Sequence, residues 1–298
     1  YADLSMISDS QDGYNPDLPI VLDLNLSNIC NFKCMMCTPY SSSRIAAERH
    51  QYKERYQTIP FVSDIRGDYD PEWPEKELFQ NFLKSVSPNI RSIELKGGEP
   101  LLVKNLMNTI KSVENKNECS IALTTNGSID LDDDFITELS KFKEIWFFVS
   151  VDGIGDLGEY IRYGSEWTQV DKTIKKVSQL KNCTFRLSTV LQFSSPATFP
   201  GIFDYAQAND YFIEILLCRS PHYVTINSIL PEKMDEFYSW AKQKYQQFPN
   251  ISYLKSLNGF LDQYSFDPEI NAKCKQYVMT LNSIRDNHCQ AVHDCIGL

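Results

Sequence analysis

Residues 119–153 read "CSIALTTNGSIDLDDDFITELSKFKEIWFFVSVDG" and predict a strand, a helix and a second strand in succession. Apolar side chains alternate along 119–126, and β-branched and aromatic residues fill 144–153, as is typical of strands. The stretch 132–142 between them has helical spacing and begins at Asp132, a residue type that caps helix N-termini. A helix that connects two neighbouring strands makes them parallel, so this stretch predicts an α/β fold.

The same alternation extends toward both ends of the chain. Further strand patterns occupy 20–27, 91–97, 183–193 and 212–218, and further helical patterns occupy 42–56, 101–116, 167–181, 197–209, 231–247 and 269–286. Right-handed crossovers between six parallel strands build either a (β/α) barrel or an open doubly wound sheet. In both folds, ligands bind at the carboxyl ends of the strands.

Composition limits the classes of function. The chain has 298 residues, of which 42% are hydrophobic and 23% charged, a mixture typical of one large globular domain or of one domain with a small appendage. A formal net charge of −10 does not favour nucleic acid as a partner. The sequence contains no apolar run long enough to span a membrane and no secretion-signal pattern, so we expect a cytoplasmic protein without a membrane partner.

Four unusual loops follow the first four predicted strands. They are "CNFKCMMC" (30–37), "GGEP" (97–100), "TNGS" (125–128) and "SVDG" (150–153). Because the carboxyl ends of parallel strands share one edge of a sheet, these loops predict a single composite site.

Three of the nine cysteines, Cys30, Cys34 and Cys37, form the pattern C-x3-C-x2-C. Clustered thiolates select zinc, copper(I) or iron–sulfur clusters. A structural zinc site needs four ligands, usually from two C-x2-C pairs, and the sequence has no second pair. Three thiolates on a 4Fe–4S cluster leave one iron atom open for another ligand.

This cysteine pattern resembles the signature of the radical S-adenosylmethionine superfamily, with Met36 where relatives commonly carry an aromatic residue. The order of the other loops is similar to that family too, over residues 20 to about 217. The resemblance implies a partial (β/α)6 TIM-like barrel (20–217), preceded by an acidic segment (1–19) and followed by a small C-terminal cap (218–298).

The resemblance also implies a chemistry. A 4Fe–4S cluster on Cys30, Cys34 and Cys37 would reductively cleave S-adenosylmethionine, and a 5′-deoxyadenosyl radical would remove hydrogen from a peptide or a small metabolite. The electron would come from a flavodoxin- or ferredoxin-type donor. Carried over by motif, the residues that would hold the cofactor are Gly97, Gly98, Glu99, Pro100, Thr125, Asn126, Ser150, Asp152 and Arg162.

The C-terminal part resembles the twitch or SPASM-like caps of some relatives, which hold auxiliary clusters. The candidate ligands of a second cluster are Cys218, Cys274, Cys289 and Cys295, although none of them lies in a C-x2-C pair. A helix over 269–286 would instead place Cys274 on one apolar face with Tyr277, as an ordinary buried thiol. Both readings stay open on the sequence.

Two other functions fit the cysteine loop. A zinc-binding interaction module would add a fourth ligand, and His50 is the nearest downstream histidine. An electron-transfer protein would hold a cluster without binding S-adenosylmethionine, which would leave the loops after strands two to four unexplained. The sequence does not identify the substrate.

Overall fold

Six strands form one parallel sheet and follow one another across it in chain order. The structure is a computed structural model that describes residues 20–59, 61–62, 70 and 72–298. Among these residues the first strand does not pair with the last, so the barrel is partial, and the predicted α/β fold class is confirmed. The strands are β1 (Val21–Asn25), β2 (Ser92–Lys96), β3 (Ser120–Thr125), β4 (Glu144–Ser150), β5 (Cys183–Leu191) and β6 (Phe212–Leu217).

Helices fill the connections and the C-terminal region. They are α1 (Ser43–Gln51), α2 (Lys53–Gln57), α3 (Glu77–Val86), α4 (Leu106–Lys111), α5 (Asp133–Leu139), α6 (Asp156–Ile161), α7 (Trp167–Val177), α8 (Ser195–Asn209), α9 (Pro231–Gln247), α10 (Ser252–Leu261), α11 (Pro268–Arg285) and α12 (Gln290–Asp294). Single 3₁₀ turns occupy Trp73–Glu75, Pro100–Leu102, Lys116–Glu118, His222–Val224 and Ile226–Ser228.

Local sequence signals explain the long C-terminal helix α11. Asp267 precedes it and accepts hydrogen bonds from the backbone N–H groups of Glu269 (2.8 Å) and Ile270 (3.0 Å), which satisfies donors that no helical carbonyl can reach. Pro268 occupies the first position, where its missing N–H costs nothing. The bounds of α11 agree with the predicted helix over 269–286 to within one residue at each end.

The structure differs from the helical predictions at several points. The predicted helix over 42–56 is divided into α1 and α2 at Tyr52. The predicted helix over 101–116 is divided, because a 3₁₀ turn starts at Pro100 and only α4 is α-helical. Helix α3 was not predicted, although Phe79, Leu83 and Val86 recur at helical spacing and are buried. It begins at the end of the Pro-interrupted acidic stretch 64–77, part of which lies outside the described residues.

The chain divides into two compact units. The first comprises the described parts of Tyr1–Cys30, Gly67–Val149 and Gln169–Phe185, and the second comprises those of Asn31–Arg66, Ser150–Thr168 and Arg186–Leu298. The predicted boundary between residues 217 and 218 falls inside the second unit, and the predicted division into barrel and cap stays a prediction. The predicted acidic segment 1–19 lies outside the described residues.

Apolar rows cross the sheet in the first unit. Leu24 pairs with Leu95, Leu95 with Leu123, and Leu123 with Phe147, and all four side chains are buried. This face provides the apolar surface against which crossover helices pack. Because the strands are parallel, the segments that follow β1, β2 and β3 all leave the same edge of the sheet.

A buried ion network joins α1 to α11 in the second unit. The Glu48 carboxylate forms salt bridges with Arg285 Nη2 at 2.9 Å and with Lys33 Nζ at 2.7 Å. The side chains of Glu48 and Arg285 are each only 2% exposed. The Tyr56 hydroxyl donates a hydrogen bond to Glu48 at 2.9 Å. Burial opposes the charge on Glu48, but Arg285 and Lys33 outweigh burial and lower its pKa.

A second polar network in this unit contains a buried histidine. The Asn282 amide lies 2.9 Å from His293 Nε2, and the Tyr160 hydroxyl donates to Asn282 Oδ1 at 2.8 Å. The Tyr160 hydroxyl also lies 3.1 Å from His293 Nε2, and with Oδ1 accepting from Tyr160 the Asn282 Nδ2–H is directed at Nε2, an arrangement that favours the neutral imidazole. Burial and the nearby His288 lower the pKa of His293, outweighing the opposite effect of Asp294.

We expect the free energy of unfolding to fall as the pH drops below about 6.5, because the unfolded histidine then binds a proton that the folded one does not. The slope from this group is at most about 1.4 kcal/mol per pH unit. Urea unfolding between pH 7.5 and 5 measures it, and His293→Gln should flatten the curve, whereas His222→Gln at an exposed position should not. An unchanged slope in His293→Gln would contradict the assignment.

Among the described residues, no helix combines the length and the apolar character needed to cross a bilayer.

Candidate active site

The loop after β1 carries the clustered thiols, and its second half is held by backbone hydrogen bonds within the second unit. Lys33 N–H donates to Tyr163 O at 2.8 Å, and Met35 N–H donates to Ile161 O at 2.9 Å. The Ser42 hydroxyl caps α1 at Ile45 N–H and donates to Phe32 O at 2.7 Å. These bonds fix the path of the chain through Cys34.

A tyrosine of the C-terminal helix α11 also contacts this loop. Tyr277 is buried and its hydroxyl donates to Met35 O at 3.0 Å. Its ring packs against Tyr223 with centroids 4.8 Å apart. Met35 is therefore held at both ends. Its N–H donates to the last residue of α6, and its carbonyl accepts from α11.

Two of the three thiols are neighbours in the second unit. Cys34 is 3% exposed, and Cys37 N–H donates to Cys34 O at 3.1 Å, which closes a tight turn between them. A hydrogen bond between the two thiols and burial raise the pKa of Cys34, and Arg162 partly opposes this rise. All nine cysteines lie among the described residues, and none of them forms a disulfide. The pair thus supplies two soft donors, of which Cys34 is buried and Cys37 is half-buried.

The third thiol, Cys30, lies in the first unit beside the loop after β3. It is buried, and Asn126 Nδ2 lies 3.8 Å from its sulfur atom, within reach of a sulfur acceptor. Asn126 is itself buried and follows the last residue of β3. Hydrogen bonds onto thiolate sulfurs are a recurrent feature of iron–sulfur sites.

The glycines of "GGEP" allow two backbone segments of the first unit to approach closely. Gly97 has φ +141°, and a Cβ atom there would lie 2.4 Å from Ser27 O. A Cβ atom on Gly98 would lie 2.3 Å from Ile29 O. Gly98 N–H donates to Ser27 O at 2.6 Å and Glu99 N–H donates to Ile29 O at 2.7 Å, so the motif fixes the segment that leads to Cys30.

Glu99 connects the loops after β2 and β3. Its side chain is fully buried, Oε1 accepts from Thr125 Oγ1 at 2.9 Å and from Leu101 N–H at 3.1 Å, and Oε2 accepts from Asn126 N–H at 2.6 Å. Pro100 follows as the first residue of a 3₁₀ turn. The structure therefore brings together the predicted residues Glu99, Thr125 and Asn126 through one carboxylate.

A second group of predicted residues lies in the second unit. Asp152 is 2% exposed; its Oδ1 accepts from Val190 N–H at 2.8 Å and its Oδ2 accepts from Arg162 Nη1 at 2.6 Å. Burial opposes the charge on Arg162, but Cys34 and Asp152 outweigh burial and raise its pKa. Ser150 ends β4, two residues before Asp152.

Arg162 keeps an unused donor. Its Nε is buried and has no hydrogen-bond partner among the described residues. A guanidinium held on one side by Asp152 and near Cys34 thus retains an N–H group for a further acceptor, and guanidinium groups bind carboxylates well. The donor set fits the methionyl carboxylate of S-adenosylmethionine.

The four cysteines proposed for a second cluster differ in burial and in their contacts. Cys218, Cys274 and Cys295 are buried, and burial raises the pKa of each to about 12. The Cys218 thiol donates to Ser220 O (3.7 Å) and the Cys295 thiol to Ala291 O (3.3 Å), while Cys289 is half-buried. Cys274 packs beside Tyr277 in the apolar core, as the helical pattern predicts.

Among the described residues, no three His, Cys, Asp or Glu side chains converge as ligands of a single metal ion do. A zinc site with four ligands around one ion requires such convergence. A 4Fe–4S cluster binds each thiolate through a different iron atom, so its ligands stand apart. Cys30, Cys34 and Cys37 each offer a thiol sulfur, which is the kind of ligand that an iron–sulfur cluster binds.

The family follows from a direct comparison. The model of the Radical SAM superfamily matches residues 24–205, more than half of the chain. The chain belongs to the radical SAM superfamily, a superfamily of enzymes that use a 4Fe–4S cluster and S-adenosylmethionine.

Curated relatives are similar over parts of the chain. A GTP 3′,8-cyclase of Campylobacter jejuni subsp. doylei is 31% identical over 110 residues, which cover 36% of this chain and 27% of that protein. A GTP 3′,8-cyclase of Alkaliphilus metalliredigens is 25% identical over 170 residues, covering 56% of this chain and 46% of that protein. The chain therefore matches less than half the length of these relatives.

Solved structures share the fold. Native anSMEcpe with bound AdoMet superimposes with a TM-score of 0.55 at 20% identity, covering 77% of this chain and 62% of that chain. Streptococcus suis SuiB bound to S-adenosylmethionine gives a TM-score of 0.50 at 15% identity, covering 78% of this chain and 48% of that chain. At these identities the likeness concerns the fold.

Sequence reasoning missed the residues that hold the site in place. Lys33, Glu48, Arg285 and Tyr277 support the thiol loop, yet only Lys33 lies inside a motif. A charged residue on the apolar side of a helical pattern, such as Glu48 in α1, was the available signal.

Proposed function

We propose that the chain cleaves S-adenosylmethionine reductively and oxidises or rearranges an organic substrate, a peptide or a small metabolite. Cys30, Cys34 and Cys37 would hold the 4Fe–4S cluster through three iron atoms. When bound, the cluster and S-adenosylmethionine supply a 5′-deoxyadenosyl radical that removes a hydrogen atom from the substrate. A flavodoxin- or ferredoxin-type protein would provide the electron.

The buried Arg162 with its unused Nε carries this proposal. Asp152 fixes one edge of the guanidinium, and the thiol of Cys34 is close enough to change the pKa of Arg162. A carboxylate-binding group beside a cluster thiol supports the binding of S-adenosylmethionine, whose methionyl end bears a carboxylate. A structural zinc module or a simple electron carrier has no need of such a group.

The other motif residues would orient the cofactor. Ser150 and Asp152 lie where the resemblance implies contacts with the ribose and methionyl parts. Glu99 fixes the turn through Asn126, so Gly97, Gly98, Pro100 and Thr125 would act by shaping a rigid backbone edge. The protein's part in such chemistry is to orient groups and exclude water, and the burial of Cys34, Asp152 and Glu99 is consistent with that role.

We further propose that residues 218–298 act as a twitch or SPASM-like cap. This region follows β6 and consists of helices α9–α12 with two 3₁₀ turns. The ligation of an auxiliary cluster by Cys218, Cys274, Cys289 and Cys295 stays a prediction, which iron counting tests.

The test of the proposed function is anaerobic reconstitution with iron and sulfide, followed by S-adenosylmethionine and dithionite. We expect a brown protein with four iron atoms or more per chain, and 5′-deoxyadenosine that chromatography detects only when both reagents are present. A colourless protein that binds one zinc ion would favour the interaction module. A brown protein that forms no deoxyadenosine would favour the electron carrier.

A further inference from the structure

The side-chain amide of Asn126 has a defined orientation in the first unit. Its Oδ1 accepts two hydrogen bonds from Ser128, one from the backbone N–H at 2.9 Å and one from the hydroxyl at 2.6 Å. The backbone N–H of Asn126 is bound to Glu99 Oε2 at 2.6 Å, which fixes the start of the turn. With its oxygen directed at two donors, the amide must present its NH₂ group on the other side.

That NH₂ group faces Cys30. Asn126 Nδ2 lies 3.8 Å from Cys30 Sγ, and the two residues are 4% and 9% exposed. The segment before Cys30 is held by the bonds from Gly98 and Glu99 to Ser27 and Ile29. Both partners of the N–H to sulfur contact are therefore fixed by independent hydrogen bonds, and water has little access to either.

We propose that Asn126 is a positioning residue that raises the reduction potential of the cluster through Cys30. This inference rests on the proposed function, in which Cys30 is a cluster ligand. Reduction adds negative charge to the cluster and its thiolates, and an N–H donor on a thiolate sulfur stabilises the more negative state. Burial strengthens the effect, because no water competes for the sulfur atom.

The effect has a functional consequence for the electron donor. A higher reduction potential of the cluster makes electron transfer from a flavodoxin- or ferredoxin-type donor more favourable. Loss of the Asn126 amide would make that electron transfer less favourable. An Asn-Gly dipeptide such as Asn126-Gly127 is usually explained as a tight turn alone. Here Asn126 would also adjust the potential of the cluster.

The test is a potentiometric titration of the reconstituted protein, followed by electron paramagnetic resonance of the reduced cluster. We expect the midpoint potential to decrease from wild type to Asn126→Ala, which removes the donor. It should decrease further in Asn126→Asp, which keeps an acceptor for Ser128 and places an anion beside Cys30. Electron–nuclear double resonance should detect a solvent-exchangeable proton coupled to the wild-type cluster and absent from both variants.

Asn108→Asp is the matched control, because it adds the same charge at an exposed position of the first unit. Equal potentials in wild type, Asn126→Ala and Asn126→Asp at equal iron content would overturn the inference. If both Asn126 variants lose iron, Ser128→Ala decides: it removes one of the two bonds that orient the amide, so an unchanged potential would also overturn it. Absence of a cluster from the wild type would instead refute the proposed function.

Discussion

The triple variant Cys30→Ala, Cys34→Ala, Cys37→Ala is expected to bind no cluster at this loop and to form no 5′-deoxyadenosine. The loss should be complete, because an alanine methyl group cannot ligate iron. Among the described residues, no three His, Cys, Asp or Glu side chains converge on one metal position that could replace these ligands. Iron analysis and chromatography of the dithionite reaction measure both outcomes.

A double variant of two cysteines elsewhere, the buried Cys119 and the half-buried Cys183, provides the matched control. Cys119 precedes β3 and its thiol donates to Ser120 O at 3.4 Å, and Cys183 begins β5. Neither lies in a proposed site, so Cys119→Ala, Cys183→Ala should keep the iron content and the activity of the wild type. Deoxyadenosine formation by the triple variant would contradict the proposed ligands, and iron retained by it would belong to a second cluster.

Replacement of Arg285 by methionine should lower the free energy of unfolding by about 3 kcal/mol, because it removes the bidentate partner of the buried Glu48 carboxylate, which then keeps only Lys33 as a charged partner. A loss of this size is a large part of the roughly 5–15 kcal/mol that stabilises a typical domain. Denaturant unfolding at pH 7 measures it. Lys175→Met, which breaks an exposed ion pair with Asp171, should cause no measurable change.

The double variant Glu48→Gln, Arg285→Met separates charge burial from packing. It should recover part of the loss, since no buried carboxylate remains without its bidentate partner. The lowered pKa of Glu48 also sets the pH dependence: the stabilisation is present above the unfolded carboxyl's pKa of 4.5 and is lost as the pH falls through the folded value. A single variant as stable as the wild type would refute the role of this ion pair.

The sequence was sufficient to predict the sheet because each strand carries its own pattern. The alternation of apolar residues at 119–126 is a local property of the sequence, and β3 shows the matching alternation of burial. The division of the predicted helix over 101–116 was harder to foresee, because Val103 adopts an extended conformation (φ −76°, ψ 116°) between the 3₁₀ turn at Pro100 and helix α4.

Parts of the site depend on partners far apart in sequence, which no local pattern reveals. Gly97 and Gly98 were assigned to the cofactor by resemblance, and the structure gives an additional steric reason for them at Ser27 and Ile29. Likewise, nothing near Glu48 in the sequence indicates Arg285, which is 237 residues away. Pairings of this kind arise from tertiary structure, as where α11 packs against α1 and brings Arg285 to Glu48.

The bond from Tyr277 to Met35 has a consequence for the order of events during synthesis. The two residues are separated by 242 positions, so the ribosome completes nearly the whole described chain before the thiol loop meets its helix partner. Until then Met35 lacks its hydrogen bond from α11, and the thiol loop is held only by its other bonds. We therefore expect a cluster bound by this loop to be inserted after translation, into an already folded chain.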